Sequence, residues 1–256
     1  MDSHELIWAF QKKIIEIYKE QHLIPLRGEN DDYKISGREI LTWFHEVTKS
    51  NAIKHNLHNT YFDLQNDLFI CSDEMIYFTA HLFLYKPHIN NPLNEGHSFY
   101  GREIFPNRQN IEAKRYNMFA DIVSQKTYNF WDRIGDLIAS FFPDRIKSHQ
   151  VFFAKALDCV PDEFRTSEQF IWLNEFKKTD YAKLNSIRKQ IVHYTTTDTE
   201  YRQKHLQVKT REEMERLQTE REALPEYYKT QVQLTLQGFE KAMFLLENFN
   251  RTLFPS

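Results

Sequence analysis

The 256-residue chain contains only six glycines and two cysteines. Average usage would supply glycine at about 7%. So few glycines leave little material for tight hairpins or for backbone loops that cradle phosphates, and neither G-x-G-x-x-G nor G-x-x-x-x-G-K-[ST] occurs. Cys71 and Cys159 lie far apart, with no partner spacing for zinc or a redox pair, and two cysteines alone make a poor disulfide framework. Met1-Asp2-Ser3-His4-Glu5 lacks a basic stretch followed by an apolar core, so no secretory signal is expected. The most apolar run, Met75 to Tyr85, is interrupted by His81 and falls short of the ~18 residues a membrane span needs. The expectation is a soluble cytoplasmic protein with no membrane partner. His55 and His58 are three residues apart, but no carboxylate cluster joins them. They read as surface histidines, and neither a metal nor a cofactor is expected.

What is present points to helix. Apolar residues make up 41% and aromatics 15%, enough to exclude a disordered chain and to build a sizeable core. Prolines at 25, 87, 92, 106, 143, 161 and 225 cut the chain into helix-sized pieces, because each lacks a backbone N–H and disfavours helix at the residue before it. Ser3 is expected to cap a first helix reaching about Glu20, with Leu6, Ile7, Phe10, Ile14, Ile17 and Tyr18 on its apolar face. Ser36 to Thr48 reads as a short helix with Ile40, Leu41, Phe44 and Val47 inward, and Asn51 to Asp67 is ambiguous. A further helix is expected from Ser72-Asp73-Glu74 to a point before Pro87.

Lys86 to Asn107, with three prolines and two glycines, reads as a loop or domain junction. Within it Gly101-Arg102-Glu103-Ile104 repeats Gly37-Arg38-Glu39-Ile40, but the residues that follow diverge, so the repeat reads as coincidence. Beyond the junction, single helices are expected over 107–142, 147–159, 167–194 and 226–249, with Gly135 permitting close approach by a neighbour. Residues 200–222 hold six basic and six acidic side chains, not counting His205, and read as a solvated, salt-bridged connector helix or a mobile excursion. The expected architecture is an all-α antiparallel bundle over 106–256, preceded by a mostly helical region over 1–105 whose role the sequence does not state.

One stretch, Leu184 to Tyr194, carries more than a core requires. Leu184, Ile187, Ile191 and Tyr194 recur three and four residues apart and share one side of a helix. On that wheel Arg188 lies roughly 80° and His193 roughly 140° from the stripe's centre. Val192 shares the off-stripe side, which suggests a second, partly covered surface such as a cleft or subunit interface. The net charge of −3 offers nucleic acid no general attraction, but Lys177, Lys178, Lys183, Arg188 and Lys189 against Asp180 give 5 − 1 = +4 locally. On the earlier helix Asp132, Arg133 and Asp136 stand among apolar residues, where a charge needs a partner. Asp132 is expected either to orient His193 or to pair with Arg133 or a lysine.

Arg188, four residues, then His193, on a helix rich in Ile and Leu, resembles the signature of the HEPN (higher eukaryotes and prokaryotes nucleotide-binding) family. Tyr128 to Ile138 resembles the earlier helix of one HEPN subgroup. The resemblance spans roughly Arg108 to Phe249. It implies a helical bundle, usually dimeric, and many members cleave RNA without a metal. Arg188 and His193 would then be catalytic, with Lys189, Lys183, Asp132 and Arg133 binding substrate; the partners implied are RNA, a second copy of the chain, and an antitoxin or regulatory protein. A toxin or antiviral role is the family's implication. Lys189 stands where members often carry a small polar residue. Tyr194 follows the histidine directly, whereas toxins modified by a partner nucleotidyltransferase have a tyrosine one residue later, and its place on the stripe makes packing its expected job. A non-catalytic helical module that binds nucleotide or a partner protein is the alternative reading.

Overall fold

The computed structural model describes residues 2–24, 26, 34–48 and 61–254. Among them are ten α-helices: α1 (Ser3–Glu20), α2 (Ile40–Thr48), α3 (Tyr61–Tyr85), α4 (Ile111–Ser140), α5 (Phe153–Asp158), α6 (Glu168–Lys178), α7 (Asp180–His193), α8 (Thr197–Gln207), α9 (Arg211–Glu222) and α10 (Leu224–Leu253). Among the described residues two hairpins are the only sheet, β1 (Lys34–Ile35) with β2 (Arg38–Glu39) and β3 (His97–Phe99) with β4 (Arg102–Ile104). The fold class is all-α. His55 and His58 lie outside the described residues.

The chain divides into two compact units. The first joins residues 1–23, 75–125 and 186–231; the second joins 24–74, 126–185 and 232–256. Each unit combines segments from both sides of the expected boundary at 105/106. In the first unit Lys229 on α10 donates to Gln21 at the end of α1 (3.2 Å), and Leu82 and Ile89 share a core with Tyr116, Val123 and Tyr228. In the second unit α2 lies against α10. Trp43 Nε1 donates to the Glu247 carboxylate at 2.8 Å, Asn250 Nδ2 donates to the Val47 carbonyl at 2.7 Å, and Trp43 meets Phe239 edge-on. Trp131 of α4 sits between Phe153 (4.9 Å) and Phe176 (4.0 Å).

Several expectations are corrected. Asp2, not Ser3, caps α1: Glu5 N–H donates to Asp2 Oδ1 at 2.8 Å, and the Glu5 carboxylate accepts from the Asp2 N–H. The expected face of α1 is buried only at Ile14 and Ile17, while Leu6, Ile7 and Phe10 are exposed. The segment before α2 is a hairpin rather than helix. Its turn residues Ser36 and Gly37 both have positive φ, and Tyr100 and Gly101 repeat the pattern in the second hairpin. That is the φ signature of the type I′ turn. The Gly-Arg-Glu-Ile repeat is therefore two copies of one turn-and-strand device, and two of the six glycines make the hairpins that glycine scarcity seemed to disfavour. Facing inward from α2 are Ile40, Phe44 and Val47, together with Trp43, whereas Leu41 is exposed.

The helix expected over 167–194 breaks at Thr179, whose backbone leaves the helical region (φ −106°, ψ −94°). Its hydroxyl donates to the Glu175 carbonyl at 2.9 Å, a local bond that competes with helix continuation, and Asp180 then supplies an acid to the first turn of α7. The charged segment 200–222 forms two capped helices, not a solvated connector. Thr196 caps α8, and Thr210 caps α9 in a reciprocal box with Glu213. Tyr201, His205, Met214, Leu217, Gln218 and Arg221 are all buried, and His205 Nε2–H donates to the Phe105 carbonyl at 3.0 Å. Both cysteines are free. Burial pushes the Cys71 thiol up to about 11.

Candidate active site

Burial falls along helix α7 from its start to its end. Tyr181 and Leu184 are buried, Ile187, Arg188 and Ile191 are half-buried, and Val192, His193 and Tyr194 are exposed, Val192 by 47% and Tyr194 by 81%. The expected apolar stripe is therefore covered at its start and opens toward the histidine. Tyr194 does not pack as expected, because α7 stops at His193 before the tyrosine can occupy the next stripe position.

The stop is built locally. The N–H groups of Tyr194 and Thr195 both donate to the Gln190 carbonyl at 2.9 Å, closing the last turn. Two residues on, Thr197 gives both its N–H (3.0 Å) and its hydroxyl (2.6 Å) to Asp121 Oδ1 on α4. Burial raises the Asp121 carboxyl above the ordinary carboxylate value, with the Thr197 bonds acting the other way. This pin holds the chain just past α7 and leaves the His193 and Tyr194 rings outside, 6.3 Å apart and tilted by 71°. The sequence around Thr197 carried no sign of Asp121, 76 residues away.

Arg188 and His193 share α7, where five residues of ideal helix separate Cα atoms by about 7.5 Å along the axis and by about 140° around it. The imidazole is open to solvent, and the guanidinium lies half-sunk beside the core stripe. Lys189 is exposed on the same helix. Of the remaining predicted residues, Lys183, Asp132 and Arg133 belong to the second unit. Lys183 is exposed. Asp132 Oδ1 accepts from the Phe153 N–H (3.4 Å), serving an orphan donor at the start of α5. Arg133 pairs with Asp136 at 2.6 Å and with Asp67 at 3.3 Å, and burial raises the Asp136 carboxyl despite that partner. Lys177 and Lys178 are each matched by a carboxylate, Asp158 at 2.6 Å and Glu175 at 2.7 Å, which trims the local positive excess. Among the described residues no group of three or more His, Cys, Asp or Glu side chains is placed to hold a metal. No described helix is long and apolar enough to cross a membrane.

A solvent-facing histidine at the end of a helix, with an arginine one and a half turns earlier, all within an all-α chain, describes a helical protein with a polar site at one helix terminus. The profile of the Cthe2314-like HEPN family matches residues 57–244, which is most of the chain, and the protein belongs to the HEPN family. The match begins well before Arg108, so it takes in α3 and the second hairpin, which lay outside the stretch that carried the sequence resemblance. No curated protein and no solved structure matches the chain.

Proposed function

We propose that the protein is a metal-independent endoribonuclease of HEPN type, with Arg188 and His193 as its catalytic residues, acting as a toxin or antiviral effector. The observation that carries this reading is the opening of α7 toward its end, where a solvent-exposed His193 follows a half-buried Arg188 on a helix otherwise spent on packing. An imidazole titrates near neutrality and can take the proton of a ribose 2′-hydroxyl. The 2′-oxygen then attacks the adjacent phosphorus, Arg188 donates to the non-bridging oxygens as charge builds on them, and the 5′-oxygen leaves with a proton from an acid. The products are a 2′,3′-cyclic phosphate and a free 5′-hydroxyl. Lys189, on the same helix, supplies a further phosphate contact.

One copy of the chain provides one such histidine, whereas this reaction uses a base and an acid. A two-fold dimer that apposes two α7 ends supplies the second. Incubating the purified protein with total RNA in EDTA tests the reading. Cleavage should persist, leave cyclic phosphate ends, and fall by ~10²-fold or more in His193→Ala and in Arg188→Ala. Undiminished cleavage in the double variant would refute the assignment.

A further inference from the structure

The two Gly-Arg-Glu-Ile hairpins differ in what lies against them. In the first, Ile35 and Arg38 stand opposite each other and so share one face, and the arginine of that face is engaged within the second unit. Its guanidinium pairs with Glu247 of α10 and lies 5.0 and 5.5 Å from the Trp43 and Phe244 ring centres, while the Ser36 hydroxyl donates to Glu240. The second hairpin belongs to the first unit, as do Arg188 and His193. Its register sets Phe99 opposite Arg102 and His97 opposite Ile104, which puts all four on one face, and all four are exposed. The opposite face holds Glu103, 3.7 Å from Arg211 of α9, and Glu95 is taken by Arg108 at 3.3 Å. Among the described residues no carboxylate pairs with Arg102.

Position by position, Phe99 stands where the first hairpin has Ile35, and Tyr100 where it has Ser36. The second hairpin therefore carries its own rings, whereas the first meets those of α2 and α10. Tyr100 is in the left-handed region (φ 49°), where a bulky side chain is strained and a type I′ turn prefers Asn, Asp or Gly. Packing does not offset that strain. The Tyr100 ring is 92% exposed and meets Phe99 edge-on at 4.6 Å, and Phe99 is itself 57% exposed. Both strands are exposed along their whole length, so these side chains add nothing to the core. Strain kept at an exposed ring points to use rather than to stability.

We infer that the β3–β4 hairpin is a platform for single-stranded RNA, on which unpaired bases stack against Phe99 and Tyr100 while Arg102 holds an adjacent phosphate. The docked hairpin shows the arginine of this device gripping an anion beside flat rings, and a nucleotide strand offers that same pairing of charge and ring. A face with a guanidinium, an imidazole and no carboxylate complements a polyanion. Exposed rings suit bases whose faces are open, as they are in a single strand and are not in a duplex. The inference rests on reading RNA as the substrate and names the form of RNA that is taken. It does not depend on cleavage.

Fluorescence anisotropy of the full chain with a 2′-O-methyl oligouridine of about 12 nucleotides tests it, the length lying within the usual span of single-strand sites. The blocked 2′-oxygen prevents cleavage by the chemistry proposed above. Saturable binding is expected at low salt, with the same strand in a duplex with oligoadenosine weaker by roughly tenfold or more. Tyr100→Asn, which suits the turn better, should weaken single-strand binding by roughly fivefold or more while keeping or raising the thermal midpoint. Phe99→Thr, which suits a strand, should weaken it similarly. Arg102→Ala should weaken it and reduce the slope of log affinity against log salt by about 0.7. No saturation by the strand, equal binding of the duplex, or undiminished binding in both ring variants overturns the platform. An alanine-based helical peptide with Glu, Phe and Glu at the spacing of Glu240, Phe244 and Glu247 supplies the other arm. If it binds through Arg102 and the RNA does not, the hairpin docks a protein and the inference falls. Ring-dependent binding in a protein that cuts no RNA would remove the ribonuclease reading and uphold this one.

Discussion

Among single residues, the division between core and site shows most clearly in the histidines. His193 is open to water, whereas His81 is enclosed by aromatic rings, with Tyr77, Phe119 and Phe10 at 4.2, 4.6 and 5.4 Å, and its Nδ1–H donates to the Tyr77 carbonyl at 2.7 Å. Burial holds the His81 pKa below the usual 6.5, the carbonyl bond opposing it. The folded protein therefore prefers the neutral ring, and as pH falls the unfolded chain takes up the proton first. The corresponding stability is complete above about pH 6.5 and declines as pH drops from there toward the lowered folded value. Thermal melts of the wild type should accordingly lose midpoint below about pH 6.5 more steeply than melts of His81→Phe, which keeps a ring and cannot titrate. Parallel slopes would mean that His81 is as easily protonated in the fold as out of it.

At the level of elements, two glycines permit contacts that no other residue would. A Cβ on Gly135 of α4 would meet Phe153 N and Cα at 2.7 Å, and one on Gly238 of α10 would meet the Trp131 ring at 2.1 Å. Both glycines are helical, so alanine would gain about 1 kcal/mol in helix propensity. Overpacking against the start of α5, where the obstacle at Gly135 is backbone, costs about 1–3 kcal/mol and should win, so Gly135→Ala is expected to lower the unfolding midpoint. An unchanged or raised midpoint in urea would show that α5 yields freely. Within α7 the gradient of burial sets a second expectation. Leu184→Ala should cost about 2–5 kcal/mol, as a fully buried leucine does, and Ile191→Ala clearly less, because Ile191 is only half-covered. Equal losses would mean that the open end of α7 is covered in solution.

For the whole molecule, that covering is the dimer proposed above. Val192 is 47% exposed beside His193, and an isologous contact there would bury it, bring two histidines together and double whatever positive charge Lys189 and Arg188 present. Val192→Glu places two like charges near such an axis. Light scattering should then report a monomer, and RNA cleavage should disappear with the dimer. A Val192→Glu protein that stays dimeric and active, or a wild type that cleaves as a monomer, would defeat the arrangement.

The sequence by itself determined the helical class, the proline-punctuated segments, and the Arg188–His193 spacing, because periodicity, capping and short motifs act within a few residues of one another. The buried start of α7 and the tolerance for close approach at Gly135 were legible for the same reason. Tertiary structure alone decided that Tyr194 faces water while Arg221, in a run of charges, is buried. It also decided that α1 shows Leu6 and Ile7 outward, and that Asp121 pins Thr197 across 76 residues. These outcomes depend on which surfaces meet, and burial is set by partners far along the chain. A local pattern identifies a face of a helix without stating what, if anything, lies against it.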